Sequence, residues 1–153
     1  MLEIKIRKAN EKDKKILFKW FNDKESFKYK LKTKSKISFQ EHCLWLKKTL
    51  ANRRNLLSII EVNQSLAGQI RLDHVSIKNY EVDIYIAKPY RGMKIAKYAL
   101  NETEKKLSNG SIIISKVKKN NEASLNFFLA SNFIISSQDK VIWELKKKIQ
   151  KYY

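Results

Sequence analysis

The stretch EVDIYIAKPYRGMKIA, residues 81–96, decides the fold. Its first six residues alternate between polar and apolar side chains, apart from one tyrosine, which predicts a strand with one face in the core. Pro89 cannot donate a ladder hydrogen bond, so it ends this strand. A helix is predicted to begin at about Gly92, and the unpaired N–H groups of a helix N-terminus can bind an anion such as pyrophosphate. The spacing is equally compatible with an ordinary strand-to-helix turn.

The rest of the chain is predicted to alternate between short strands and helices. Asn10 can cap a first helix, and Ser38 with Glu41 forms a capping box for a second. Three consecutive strands are expected to form an antiparallel meander, and helices to cover both sheet faces, which gives a mixed α/β fold. The predicted elements are a strand at 2–7, a helix after Asn10 that carries 16–21, an irregular segment at 22–37, a helix at 38–50, strands at 56–62, 66–74 and 80–86, a helix at 92–107, a strand at 112–114, a helix at 122–130, and strands at 133–137 and 141–145.

The composition predicts a single domain over residues 1–153, with a solvated basic tail at about 146–153. Hydrophobic residues make up 43% of the chain, which is enough for one core. No apolar run reaches the roughly 18–20 residues of a membrane span, and no signal peptide is recognised at the N-terminus. Cys43 is the single cysteine, so no internal disulfide can form. We therefore expect a cytoplasmic protein without membrane contacts and, since no metal-ligand spacing is present, without a metal.

The net charge of +18 raises the question of nucleic-acid binding. The lysines are spread along the whole chain, and no set of nucleic-acid-binding motifs accompanies them. Nucleic acid is therefore not expected as the main partner, and the charge is also compatible with an A/T-rich coding sequence. A positive surface would still attract anionic small molecules.

The stretch quoted above resembles the acetyl-CoA-binding motif of the GNAT superfamily of acetyltransferases, Gln/Arg-x-x-Gly-x-Gly/Ala after a strand. Arg91 matches its first position and Ala96 its last, while Lys94 stands where the central glycine usually stands. A lysine there can present its backbone N–H if its torsions are helical. The resemblance covers about residues 4–145 and implies a GNAT fold with about seven mostly antiparallel strands and acetyl-CoA as cofactor. It implies pyrophosphate contacts from Arg91, Gly92, Met93, Lys94, Ile95 and Ala96, and pantetheine contacts near Ile84, Ile86 and Ala87.

A second segment, residues 121–133, resembles the superfamily's Asn-x-x-Ser/Ala…Leu-Tyr…Gly-Phe pattern through its NEAS, FF and NF parts. The tyrosine that often protonates the leaving thiolate in this superfamily is replaced by Phe128, which has no proton to give. Tyr85, Tyr90 or water is left as the acid. The coenzyme contacts that this segment implies are Asn121, Ser124 and Phe128.

The N-terminal half resembles a bacterial GNAT group that acetylates nucleotide-linked amino sugars for surface glycans. The matching pieces are WFND at 20–23, IS at 37–38, EH at 41–42 and GQIRLD at 68–73. The aromatic residues Trp20 and Trp45 are equally compatible with plain core positions. The acceptor-site residues that this resemblance implies are Trp20, Asn22, His42, Arg71, Asp73 and His74.

Catalysis requires a base, because a protonated amine cannot attack a thioester carbonyl. Glu81, Asp83 and Tyr85 share one face of the predicted strand. Glu81 matches the position of the base in several GNAT enzymes, and Asp83 is the second candidate. The structural alternative is that both carboxylates pair with Arg71 across the hairpin.

We therefore expect an enzyme that transfers acetyl from acetyl-CoA to a primary amine, with an anionic nucleotide-linked amino sugar as the first candidate substrate. Two alternatives remain, namely a protein N-terminal acetyltransferase of the ribosomal-protein type and a non-catalytic module that binds acetyl-CoA or nucleic acid. GNAT domains often dimerise, so a homodimer is also among the expectations.

Overall fold

A seven-stranded sheet is the centre of the structure, a computed structural model that describes residues 1–31 and 36–152. Across the sheet the strands follow the order β1-β2-β3-β4-β5-β7-β6. Within this sheet the β4–β5 pair is parallel and the other pairs are antiparallel. The predicted mostly antiparallel sheet of seven strands is confirmed. The strands are β1 (Ile4–Lys8), β2 (Leu56–Val62), β3 (Ser65–Ser76), β4 (Asn79–Ile86), β5 (Ile112–Lys118), β6 (Ile134–Gln138) and β7 (Ile142–Lys148).

Helices cover both faces of this sheet, as the sequence predicts. On one face, Leu17 and Trp20 of α1 pack with Leu46 of α3 against the sheet. On the other face, α4 buries apolar side chains at helical spacing, among them Ile95 and Ala99, in a larger core. The helices are α1 (Lys14–Phe21), α2 (Lys24–Phe27), α3 (Phe39–Ala51), α4 (Ile95–Glu104) and α5 (Glu122–Ala130), with 3-10 turns at Glu11–Asp13 and Lys88–Tyr90.

Two helices differ from the prediction. The short helix α2 lies in the segment 22–37 that we expected to be irregular, of which residues 32–35 fall outside the described residues. Asp23 begins α2 because its carboxylate accepts a hydrogen bond from the Glu25 N–H at 3.1 Å. Helix α4 begins at Ile95 and ends at Glu104, so it is shorter at both ends than the predicted 92–107.

The solvated basic tail is also shorter than predicted. Strand β7 continues to Lys148, where it pairs with Ile112 of β5. The next residue, Ile149, is 6% exposed and its N–H donates to the Ser111 carbonyl at 2.7 Å. The three consecutive lysines can belong to a strand because alternate side chains point to opposite faces of a sheet.

Residues 1–31 and 36–152 contain neither a membrane-spanning helix nor a cluster of metal ligands. No helix there is long and apolar enough to cross a membrane. The same residues contain no group of three or more histidine, cysteine, aspartate and glutamate side chains that could hold a metal ion.

Candidate active site

The parallel pair β4–β5 opens partway along its length. Its last paired residues are Glu81 and Ile114, whereas β4 stays bonded to β3 as far as the pair of Ile86 with Gly68. A cavity of about 1380 Å³ occupies this opening and is lined by both strands. Single ligand sites usually measure roughly 300–1,000 Å³. The opening therefore has room for two ligands side by side.

Backbone groups of β4 point into the opening. The N–H of Ala87 donates to the Ala67 carbonyl at 2.7 Å, and the direction of hydrogen bonding alternates along a strand. The N–H groups of Ile84 and Ile86 therefore point away from β3 and towards the opening. These two residues fit the predicted contact with a pantetheine arm, while Ala87 does not, because its N–H is already bonded to β3.

The loop before α4 has two left-handed residues. Gly92 has a φ of +79° and Lys94 a φ of +62°. Lys94 therefore has left-handed rather than right-handed helical torsions, and this φ accounts for the glycine that the superfamily usually has there. Because of this loop, α4 begins only at Ile95. Its first main-chain hydrogen bond runs from the Tyr98 N–H to the Lys94 carbonyl at 3.2 Å. Lys94 provides no side-chain cap.

The N-terminus of α4 is consequently suited to an anion. The first-turn N–H groups of Ile95, Ala96 and Lys97 have no carbonyl one turn earlier to bond to, and the helix dipole adds partial positive charge. A side chain at Gly92 would meet no atom within 4 Å, so open space surrounds this turn. Met93 is 45% exposed. The turn therefore fits a pyrophosphate held by backbone groups.

The side chain of Arg91, the first residue of the matched motif, is bound by other groups of the protein. Its Nε donates to the Ile86 carbonyl at 2.8 Å. Its two terminal nitrogens lie 3.4 Å from an Asp23 oxygen and 3.3 Å from a Glu25 oxygen. These contacts fasten the loop before α4 to helix α2.

The second matched segment lies at the far wall of the cavity. Asn121 caps α5 because its Oδ1 accepts from the Ser124 N–H at 3.2 Å, which leaves the Nδ2 group for a ligand. Phe128 is 7% exposed, and its ring centroid lies 5.0 Å from that of Phe133. Asn132, where the superfamily pattern has glycine, has a φ of +71°. Asn121, Ser124 and Phe128, for which coenzyme contacts are predicted, all line the cavity.

The three predicted catalytic residues lie on the face of β4 that points towards α1 and α3. Glu81 lies 3.8 Å from Lys116 of β5, measured between Oε2 and Nζ. Asp83 accepts a hydrogen bond from the Gln69 amide at 2.8 Å. Arg71 pairs with Asp73 at 3.0 Å and with neither of these carboxylates, so the structural alternative of a shared Arg71 partner is wrong.

Tyr85 has a specific partner. Its hydroxyl donates to Asp23 Oδ2 at 2.6 Å. Burial and this bond to Asp23 raise the pKa of Tyr85 to about 12. The same bond, followed by those from Glu25 and Arg91, lowers the pKa of Asp23 despite its partial burial. Transfer of the Tyr85 proton to a thiolate, whose pKa is ordinarily about 8.5 for cysteine, is therefore unfavourable.

The predicted acceptor residues fall into two groups. Trp20, Arg71 and Asp73 line the cavity, and the Trp20 ring lies 5.8 Å from that of Tyr85 between centroids. The Arg71 guanidinium lies 5.1 Å from the centre of the Trp45 ring. These residues form a wall between α1, α3 and the β3–β4 hairpin.

The second group does not present side chains to the cavity. Asn22 uses both ends of its amide on the backbone of Ile37, at 3.3 Å each. His74 packs edge-on against Tyr80 with ring centroids 5.5 Å apart. His42 borders the cavity but has no exposed surface, and its Nε2 is bonded to the Lys14 carbonyl at 3.0 Å. Burial lowers the pKa of His42. The side chains of all three residues are thus engaged by other protein groups.

Sequence reasoning missed three lysines that line the cavity, Lys28, Lys30 and Lys118. We call the part of the cavity that is lined by these lysines and by the predicted acceptor residues the acceptor half. Lys30 donates to the Phe21 carbonyl, and its ammonium lies 3.7 Å from the centre of the Phe21 ring. Lys118 of β5 donates to the Lys28 carbonyl at 3.1 Å. Burial lowers the pKa of Lys30, while the charges of Asp83 and Asp23 oppose that shift. The residue order carries no signal for this group, because it is assembled from segments 90 residues apart.

Solved structures share this architecture. The chain aligns with a spermidine N-acetyltransferase from Vibrio cholerae in complex with CoA and spermine at a TM-score of 0.82, with 15% identity and coverage of 95% of each chain. It aligns with yncA, a putative acetyltransferase from Salmonella typhimurium with its cofactor acetyl-CoA, at a TM-score of 0.79, with 11% identity over 99% of this chain and 96% of that one.

Sequence comparison also relates the chain to acetyltransferases. The chain is 23% identical over 152 residues to the acetyltransferase PseH of Campylobacter jejuni, covering 95% of this chain and 92% of that protein. The family model described as the acetyltransferase (GNAT) family matches residues 15–133, which include most of α1, the split strands and all of α5. With the split strands, the left-handed loop and the open helix N-terminus, these matches establish that the chain belongs to the GNAT family of acetyl-CoA-dependent acetyltransferases.

Proposed function

We propose that this acetyltransferase acetylates the primary amine of a nucleotide-linked amino sugar used in surface-glycan biosynthesis. The observation that carries the proposal is the group of lysines in the acceptor half, Lys28, Lys30 and Lys118. In the described part of the chain, no carboxylate lies within 4.0 Å of their ammonium groups. Three cations without paired anions favour an acceptor that brings negative charge, such as a diphosphate.

The size and the walls of the cavity agree with such an acceptor. The volume leaves room for a nucleotide-sized ligand beside the coenzyme. Trp45 is half-buried and offers aromatic surface, whereas Trp20 is 6% exposed and belongs to the core. Arg71 can provide a bidentate hydrogen-bond donor where its Asp73 partner leaves nitrogen atoms free. The sequence similarity to PseH supports the same subgroup.

Acetyl-CoA brings the activated acetyl group as a thioester. The chain would hold it through the backbone N–H groups of Ile84 and Ile86 and through the first turn of α4, as the split strand and the open turn allow. Glu81 lies where β4 and β5 separate, and its side chain is 24% exposed. We assign Glu81 the removal of the proton from the acceptor's ammonium group, directly or through a water, with Asp83 as the second candidate.

The same lysines weigh against a polyamine acceptor, although five carboxylates also line the cavity, namely Glu25, Glu41, Asp73, Glu81 and Asp83. A polyamine is a multiple cation, and like charges in a partly enclosed site repel each other. A protein N-terminus stays the second candidate, and the panel of amines below separates it from a nucleotide sugar. In a non-catalytic protein, the carboxylates of Glu81 and Asp83 on β4 would have no role beyond their contacts with Lys116 and Gln69.

The test is a thiol-release assay with acetyl-CoA and a panel of amines. The panel contains UDP-glucosamine, a dTDP-linked 4-amino sugar, an N-terminal ribosomal-protein peptide and spermidine. We expect the highest kcat/KM for a nucleotide-linked sugar and none for spermidine. Turnover confined to the peptide or to spermidine would overturn the proposal, and coenzyme binding without thiol release from any amine would indicate a non-catalytic module.

A further inference from the structure

The hydrogen bond between Tyr85 and Asp23 has a fixed direction. Asp23 is ionised at neutral pH, and an ionised carboxylate has no proton to donate. The proton in the 2.6 Å bond therefore belongs to the Tyr85 hydroxyl. Arg91 lies 3.4 Å from the same Asp23 oxygen and reinforces its negative charge.

The oxygen of Tyr85 is consequently left with lone pairs only. Tyr85 lines the cavity, whereas Asp23 is not among the lining residues and lies behind the tyrosine. The ring of Tyr85 is held by Trp20 on one side, and the Arg91 guanidinium lies 5.7 Å from the ring centre. A ligand that meets Tyr85 in the cavity therefore meets a hydrogen-bond acceptor in a fixed position.

An incoming amine supplies the matching donors. An ammonium group has three N–H donors and no acceptor, and Asp83 lies two residues from Tyr85 on the same strand face. We propose that Tyr85 binds the acceptor's amine through its phenolic oxygen, and that Asp23 is a positioning residue that keeps the Tyr85 proton turned away from the cavity. This inference rests on the proposed amine acetylation, and it replaces the general-acid role that the sequence suggested for Tyr85.

The two roles predict opposite kinetics. An amine-binding oxygen is lost in Tyr85→Phe, which keeps the ring and its packing on Trp20. The KM for the amine should then rise about tenfold, with kcat changed by less than about threefold, because the contact is made in the ground state and in the transition state alike. A general acid would instead lower kcat and leave KM in place.

A double-mutant cycle tests the dependence on Asp23. An asparagine at this position can donate to the Tyr85 oxygen, so Asp23→Asn should raise the amine KM about as much as Tyr85→Phe. The double variant should be no worse than Tyr85→Phe alone, because both changes remove the same contact. Calorimetry with acetyl-CoA on each variant separates this effect from a change at the coenzyme site.

A spectroscopic readout is independent of any substrate. In protein labelled at tyrosine Cζ with carbon-13, the signal missing from Tyr85→Phe identifies Tyr85. We expect Asp23→Asn to shift that signal at neutral pH. Glu25→Gln removes the other carboxylate partner of Arg91 and should leave the Tyr85 signal in place.

Failure of this inference can be distinguished from failure of the proposed function. UDP-glucosamine is the first amine, replaced by whichever panel amine wild type turns over fastest if it is not a substrate. An unchanged KM in Tyr85→Phe, an additive cycle, or an unchanged Cζ signal in Asp23→Asn would each overturn the inference while wild type still turns over. Absence of turnover in wild type with every amine would overturn the proposed function itself, and the amine-binding role with it.

Discussion

The two halves of the cavity differ in the groups that line them, since one is formed mainly by backbone groups and the other by side chains. The half that we assign to the coenzyme is formed mainly by backbone, namely the unpaired edge of β4 at Ile84 and Ile86, the left-handed loop at Gly92 and Lys94, and the first turn of α4. The acceptor half consists of side chains that meet from distant segments, as in the bond of Tyr85 to Asp23, which lie 62 positions apart. Backbone sites tolerate many sequences if the torsions are kept, whereas side-chain sites change with each substitution. This difference explains why the fold and the coenzyme are shared with structures at 11–15% identity.

The largest effect is expected in the side-chain half. Glu81→Gln should lower kcat by about 100-fold or more, because the amine loses the base that removes its proton. The affinity for acetyl-CoA, measured by calorimetry, should not change. Asp83→Asn is the matched variant on the same strand face. A larger loss of kcat in Asp83→Asn than in Glu81→Gln would contradict the assignment and transfer the role to Asp83.

The charge of the acceptor wall gives an intermediate effect. The double variant Lys30→Gln with Lys118→Gln should raise the KM for a nucleotide-linked amine by about tenfold and weaken the salt dependence of that KM. Its control is Lys15→Gln with Lys47→Gln, which removes the same charge from exposed positions on α1 and α3. If the control pair raised KM equally, the overall positive charge would be responsible and the acceptor wall would have no special role.

The smallest effect is expected at the backbone half. Lys94→Gly relieves roughly 1–2 kcal/mol of left-handed strain, offset in part by roughly 0.4–1 kcal/mol of extra entropy in the unfolded chain. The free energy of unfolding, from urea titration, should therefore rise by up to about 1 kcal/mol. Acetyl-CoA affinity should fall by no more than about threefold, since only one solvated ammonium is lost.

Lys78→Gly is the control for this change, because Lys78 also has a left-handed φ of +59° but lies in the β3–β4 turn. It should raise stability by a similar amount without any effect on coenzyme affinity. A loss of coenzyme binding beyond tenfold in Lys94→Gly would show that the side chain, not the backbone, holds the ligand at this turn.

The sequence was sufficient for most of the fold and for the identity of the coenzyme, while the residues that hold the coenzyme stay a prediction. Alternating and helical periods placed all seven strands and four of the helices, and the capping roles of Asn10 and Ser38 are seen in the structure. The exceptions are local. Helix α2 is a single turn fixed by Asp23, too short for periodicity to show, and the torsion of Lys94 depends on the loop rather than on the residue type.

The acceptor half was predicted less well. His42, Asn22 and His74 were chosen because they lie near matched motifs, yet their side chains bond to backbone or to neighbouring rings. Lys30 was not singled out, and Asp23 was quoted in the WFND match without a role, because their roles depend on which strand they meet across the fold. Contacts of this kind are fixed by tertiary packing, and one sequence carries no local signal for them.

The most direct test of the central claim is acetyl-CoA binding by calorimetry at moderate salt. Wild type is compared with Gly92→Glu and with the control Gly110→Glu, which introduces the same charge at another left-handed glycine, with φ +87°, outside the cavity lining. We predict micromolar binding to wild type and to Gly110→Glu if it remains folded by circular dichroism, and no measurable binding to Gly92→Glu. Unchanged binding to a folded Gly92→Glu variant would contradict a coenzyme site at this turn.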